Sequence, residues 1–188
     1  LDELLSKEYA AQRAKQIDPT KAWPELPSFG KITGGGPSIA TASTAAGASP
    51  GDEGGTTHAS VIDRDGNIAC ATPSGGGFVK SVYIPELGYS LSTRIEMFNF
   101  EEGHPNVLVP GKRPRTTLVN YIVSKDGRPR WTFGCPGGDH QAQANLQLML
   151  NTLLFGMNPQ EAIEAPRFAT ESVVNSFYPH VYFPGRLS

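Results

Sequence analysis

The apolar positions divide the chain into a short helical start, a patternless stretch, a run of strands and a helical end. Leu1, Leu4, Leu5 and Tyr9 recur at helical spacing, predicting an amphipathic helix over residues 1–17 that Asp18-Pro19 closes. Between Asp18 and Gly55 the periodicity dissolves, and the breaker-rich stretch from Gly34-Gly35-Gly36-Pro37 to Gly51 reads as an exposed linker. Alternation then predicts a hairpin of residues 58–62 and 68–72 around Asp63-Arg64-Asp65-Gly66-Asn67. A further strand is predicted at residues 89–93. Another hairpin pairs residues 118–124 with 130–134 across Lys125-Asp126-Gly127. Hairpin connections make the sheet mostly antiparallel.

Pro136-Gly137-Gly138-Asp139 leads into the strongest helix, with Asp139 as its predicted N-cap. Ala142, Leu146, Met149, Leu150, Leu153 and Leu154 form the apolar stripe, and Gly156 supplies the stop. Asn158-Pro159 opens a second helix that ends at Ala165-Pro166. Strands followed by helices predict an α+β layered domain.

Composition narrows this picture only slightly. With 21 Gly and 16 Pro in 188 residues the chain is turn-rich, and its net charge of −2 gives no reason to expect nucleic acid as a partner. Cys70 and Cys135 lack CxxC spacing and read as small buried residues, and the four histidines lack ligand spacing, so neither a metal nor a cofactor is expected. No stretch is long and apolar enough for a membrane span, and the start lacks a signal-peptide pattern. The chain begins mid-helix and stops without a finishing element, as an excerpt of a longer protein would. Lys112-Arg113-Pro114-Arg115 reads as a loop that positions Thr116-Thr117 and pairs with nearby acids. Trp23, Trp131 and Phe133 read as packing residues.

The candidate chemistry centres on Thr56. A threonine that becomes N-terminal by cleavage carries its own base, an α-amine that titrates near neutrality. Gly55-Thr56 suits such a cleavage, because glycine permits the strained backbone that brings the hydroxyl onto the preceding carbonyl. Gly137-Gly138, just ahead of a helix, offers two unshielded backbone N–H groups for an oxyanion; the same residues also fit an ordinary strand-to-helix turn.

Four separated motifs then agree with one family. Thr56-Thr57-His58 with Asp63-Arg64-Asp65-Gly66-Asn67 comes first, and Pro110-Gly111-Lys112-Arg113-Pro114-Arg115-Thr116-Thr117 second. Pro136-Gly137-Gly138 is the third, and Gly156-Met157-Asn158 through Ala165-Pro166-Arg167-Phe168 the fourth. In order and spacing they resemble the γ-glutamyltransferase family. The resemblance implies an N-terminal-nucleophile hydrolase with a partial αββα sandwich, cut by itself before the nucleophile. Residues 1–55 would be the end of the large subunit, and residues 56–188 most of the small one. Carried over by position, Thr56 is the nucleophile of self-cleavage and catalysis, and Gly137 and Gly138 form the oxyanion hole. Thr116 and Thr117 bind the substrate's α-carboxylate, while Thr72 and Ser74 lie near the nucleophile. The implied partners are a small-molecule amide and the remainder of the large subunit, in a heterodimer.

Three positions depart from the family pattern. Where it reads the substrate's α-ammonium with amides and a carboxylate, this chain has Gly76, Arg94 and Met97, with Glu96 one residue out of register. A guanidinium repels an ammonium but binds carboxylates in a two-point fork. The expected activity is therefore amide hydrolysis or acyl transfer through acyl-Thr56, on γ-glutamyl compounds or on a related small acidic amide. Two alternatives stand beside it: an oxamate- or cephalosporin-acylase-like amidohydrolase of the same family, and an unprocessed relative that only binds.

Overall fold

The computed structural model describes residues 1–23, 55–75 and 81–188. The predicted linker and Gly76 lie outside the described residues.

Helix α1 spans Lys7–Ala14, shorter than residues 1–17. Ser6 sets its start by accepting the Tyr9 N–H at 3.0 Å, so Leu1, Leu4 and Leu5 fall ahead of the cap and are exposed. Asp18 takes the Thr20 N–H and hydroxyl at 2.8 and 2.7 Å, and these bonds hold its carboxyl below the usual range.

Strands β1 (Ala59–Ile62) and β2 (Ile68–Ala71) pair antiparallel as expected, from Ala59 opposite Ala71 to Ile62 opposite Ile68. Asp63 closes the turn by accepting from the side chain and backbone of Asn67 and from the backbone of Asp65, which lowers its pKa. Strands β3 (Tyr83–Ile84) and β4 (Tyr89–Ser90) form a two-residue ladder. The strand predicted over residues 89–93 thus stops early, because Thr93 enters a 3-10 turn at Arg94–Met97. Strands β5 (Tyr121–Lys125) and β6 (Arg128–Phe133) turn at Asp126 and Gly127, both at positive φ, the conformation a two-residue hairpin loop needs. That moves the predicted arms by one to three residues. Pro129 has no N–H to offer, and the ladder slips between Val123 and Ser124. Among the described residues the strands form three antiparallel pairs, and the first and last hairpins meet along β2 and β6. Phe133 stacks between Tyr121 and Trp131 at 4.9 and 4.7 Å, so two predicted packing residues do pack.

Helix α2 (His140–Leu153) corrects the apolar-stripe prediction: Leu146, Leu150, Leu153 and Leu154 are exposed, and Gln141 and Asn145 are its buried residues. Its inner face is built from amides. Gln143 accepts the Thr170 N–H at 2.8 Å and donates to the Thr170 carbonyl at 3.1 Å; Gln147 clamps Phe168 the same way, at 3.2 and 2.8 Å. Four residues along a helix rise about 6 Å, close to the roughly 6.6 Å spanned by two residues of extended chain, so the two clamps keep step. Gln141, with its amide nitrogen turned inward, donates to the carbonyls of Thr117 and Cys135 at 3.2 and 3.0 Å. Periodicity located the helix but not its inner face, because satisfied amides can be buried as readily as leucines. Helix α3 (Pro159–Glu164) starts at Asn158 with a reciprocal capping box to Glu161, as its sequence predicts. Both cysteines are half-buried, more exposed than expected. Burial pushes the Cys135 thiol up.

Candidate active site

The β1–β2 hairpin continues past its strands toward Gly55. Thr57 N–H donates to the Pro73 carbonyl at 3.1 Å, and Thr56 and Ser74 form an isolated antiparallel bridge. This brings Thr56 Oγ1 to 2.9 Å from Ser74 Oγ. Gly55 holds φ +129°, which L side chains rarely adopt, so the residue before Thr56 must be glycine or strained.

Arg94, from the 3-10 turn, reaches into the same cluster. Its Nη2 donates to Ser74 Oγ at 2.7 Å and its Nη1 to Thr117 Oγ1 at 3.3 Å, with Met97 Sδ 3.7 Å away. A guanidinium only donates, so Ser74 and Thr117 each accept from it and keep their own hydroxyl proton for another acceptor. The Thr93 N–H, bonded to the Gly75 carbonyl at 2.8 Å, pins this turn to the strand end carrying Ser74. Asn106 links the turn to the Thr116-Thr117 segment, donating to the Met97 carbonyl and accepting the Arg115 N–H at 3.1 Å.

Thr116 and Thr117 part company. Thr117 is buried and meets Arg94, whereas Thr116 is exposed and accepts the N–H of Leu118 at 3.1 Å. Glu96 lies on the same turn as Arg94, and its carbonyl accepts the Tyr178 N–H at 3.1 Å. Thr72 is buried, but its hydroxyl faces His58 Nδ1 at 2.9 Å and the oxygens of Asn120 and Val119 at 2.7 and 3.1 Å. Those two oxygens compete for its single proton, so His58 donates from Nδ1, and its Nε2 lies 2.7 Å from Ser60 Oγ.

A close approach backs this histidine. A Cβ on Gly134 would lie 2.4 Å from His58 Nδ1, and the ring is tethered at both nitrogens. Gly134→Ala is expected to destabilise the full-length protein by about 1–3 kcal/mol. His58→Ala added to it should recover part of that loss. Purely additive melts of the two variants would refute the contact.

Gly137 (φ +127°) and Gly138 (φ +54°) precede α2, and among the described residues neither N–H donates a hydrogen bond. Asp139 occupies the N-cap position but does not cap, contrary to expectation. Its carboxylate accepts the backbone and hydroxyl of Ser176 at 2.7 and 2.5 Å and pairs with Arg115 at 3.4 Å. Ser176 outcompetes the helix N–H groups because it offers two donors to one carboxylate. The Arg115 pair is the acidic contact expected of the basic loop. No group of three or more His, Cys, Asp and Glu gathers as a metal site among the described residues.

Sequence reasoning missed Asn120, Ser176 and Phe177. The Phe177 ring lies 5.3 Å from the Arg94 guanidinium, and 3.8 Å from where a Gly138 Cβ would stand. Its separation of 83 positions from Arg94 leaves no local signal.

Known proteins resemble this chain in sequence and in fold. A family model described as Gamma-glutamyltranspeptidase matches residues 1–183. The glutathione hydrolase proenzyme of Pseudomonas sp. strain A14 is 33% identical over 89% of this chain and 28% of its own length. A solved structure described as LmbA2991HD superposes with a TM-score of 0.86 at 43% identity, covering 100% of this chain and 33% of that one. A cephalosporin acylase from Bacillus halodurans gives a TM-score of 0.69 at 30% identity, over 89% of this chain and 27% of its own. The chain therefore spans about a third or less of the length of these relatives.

Proposed function

This chain belongs to the gamma-glutamyltranspeptidase family, and from that premise we propose that it is the junction and catalytic segment of a self-cleaving amide hydrolase or acyl transferase. The observation that supports this most is the placement of the Thr56 hydroxyl 2.9 Å from Ser74 Oγ, which Arg94 holds in turn. Residues 1–55 then end the large subunit and residues 56–188 make up most of the small one, together part of an αββα sandwich. The remainder of the large subunit is the heterodimer partner, and it would cover the exposed leucines of α2.

In the joined chain the nitrogen of Thr56 is an amide and no base. Its hydroxyl attacks the Gly55 carbonyl carbon, the C–N bond breaks as the ester forms, and the freed amine takes up the proton. Water opens the ester and leaves Gly55 as a carboxylate. The free amine then serves as the base when the same hydroxyl attacks a substrate amide. The N–H groups of Gly137 and Gly138 receive the oxyanion, and Ser74 orients the nucleophile. Acyl-Thr56 forms as the amine leaves, and water or an acceptor amine releases the acyl group.

The acyl group is read by Arg94 and Thr117, with Thr116 and Glu96 at the rim. A guanidinium at the position of an ammonium reader favours a small acidic amide over a γ-glutamyl one. The Bacillus halodurans acylase is a relative whose described substrate is a cephalosporin. Assaying the full-length protein on γ-glutamyl p-nitroanilide and on p-nitroanilides of small dicarboxylic acids tests both levels. The expected result is two bands on a denaturing gel, the smaller beginning at Thr56, with faster turnover of the dicarboxylic monoamides. Efficient turnover of the γ-glutamyl compound alone would overturn the substrate reading. A single uncut band with no turnover would instead identify a relative that only binds.

A further inference from the structure

The guanidinium of Arg94 is held from more than one side. Its two terminal nitrogens meet Ser74 and Thr117, while one face lies over the Phe177 ring at 5.3 Å. The hydroxyls fix where the nitrogens end, and the ring fixes the plane in which they lie.

Phe177 is itself fixed by a dense set of bonds over residues 175–180. Its N–H donates to Asn175 Oδ1 at 2.8 Å, and its carbonyl accepts from the His180 N–H at 2.7 Å. Ser176, buried beside it, gives both its N–H and its hydroxyl to Asp139, the residue that follows the glycine pair. On the far side the Tyr178 N–H donates to the Glu96 carbonyl. His180 places Nδ1 and Nε2 each 3.0 Å from a carbonyl, those of Asn175 and Phe98. The segment thus ties the start of α2 to the turn carrying Arg94, with the Phe177 ring between Gly138 and the guanidinium.

We propose that residues 175–180 are a brace and that Phe177 is the positioning residue that sets the Arg94 guanidinium for an anionic group on the acyl side of the substrate. Asp139 is its anchor: the carboxylate that follows the glycine pair holds the brace through the backbone and hydroxyl of Ser176. The proposal rests on the reading of Arg94 given above.

The test uses the full-length processed protein and two probes, succinyl p-nitroanilide and acetyl p-nitroanilide. Phe177→Leu keeps an apolar filler and removes the aromatic face. It is expected to lower kcat/KM for the succinyl probe about tenfold through KM, and to change the acetyl probe and the extent of processing less than twofold. Phe177→Tyr should restore succinyl turnover to within about threefold, since a phenol also offers a π face. Asp139→Asn, which keeps the shape of the anchor should Phe177→Leu not fold, should shift the succinyl KM the same way to a smaller degree. Equal losses on both probes, or no recovery with Phe177→Tyr, would mean that Phe177 is a packing residue only. Arg94→Met run in parallel separates the two claims. Loss of succinyl preference in Arg94→Met but not in Phe177→Leu would overturn the brace and leave the Arg94 reading standing. No change in either would overturn both.

Discussion

Thr56→Ala is expected to leave the full-length chain as a single uncut polypeptide and to lower amide turnover by about 10⁴-fold or more. In the proposed mechanism the hydroxyl supplies the attacking oxygen in both self-cleavage and acyl transfer, and Ser74, 2.9 Å away, presents only its own oxygen, already engaged by Arg94. Folding should barely notice. The Ser74–Arg94 bond survives the substitution, and loss of one part-buried hydroxyl contact costs about 1 kcal/mol. Thr56→Ser retains an oxygen at the same place, so it should still process, giving a small fragment that begins at the new serine. N-terminal sequencing and turnover measured on both variants check this. Two bands from Thr56→Ala, or turnover within tenfold of the parent, would remove Thr56 from the mechanism.

The second large effect falls on the glycine pair, where the two positions should differ. Gly137 has φ +127°, outside what an L residue adopts without strain, although a Cβ there would meet only His140 Cβ at 3.9 Å. Gly137→Ala therefore forces the backbone itself to turn, which swings the N–H groups away from the proposed oxyanion position. A loss of about 10²–10³ in kcat per processed site is expected, with KM little changed. Gly138 sits at φ +54°, a left-handed conformation that costs an alanine about 1–2 kcal/mol but keeps the peptide direction. Its alanine variant should fall well short of that loss. Single-turnover rates on both variants, normalised to the fraction of cleaved chain, decide the matter. Gly137→Ala within threefold of the parent would assign the glycines to an ordinary turn.

Much of the architecture is legible locally. The Asp63 turn, the Asp126-Gly127 hairpin and the Asn158 capping box each depend on residues within a few positions of one another, so their chemistry reads directly from the chain. The failures share one cause. Residues 89–93 look like a strand, but Thr93 is drawn into the Arg94 turn by a contact with Gly75. Asp139 looks like a cap, but Ser176, 37 positions away, offers it two donors. The leucines of α2 look like its inner face, but Gln141, Gln143 and Gln147 find backbone partners that a periodicity argument does not see.

The sequence by itself determined the nucleophile candidate, the glycine pair, the helix and hairpin order and the family, because each is carried by residue types at short, fixed spacing. It also singled out Arg94 as a departure from the family pattern. Only the tertiary structure decided what that arginine touches. Its contacts with Ser74, Thr117 and Phe177 span 20, 23 and 83 positions. A guanidinium's partners depend on which chain segments come within 3–5 Å of it, and that is set by packing across the whole domain rather than by any neighbour in sequence.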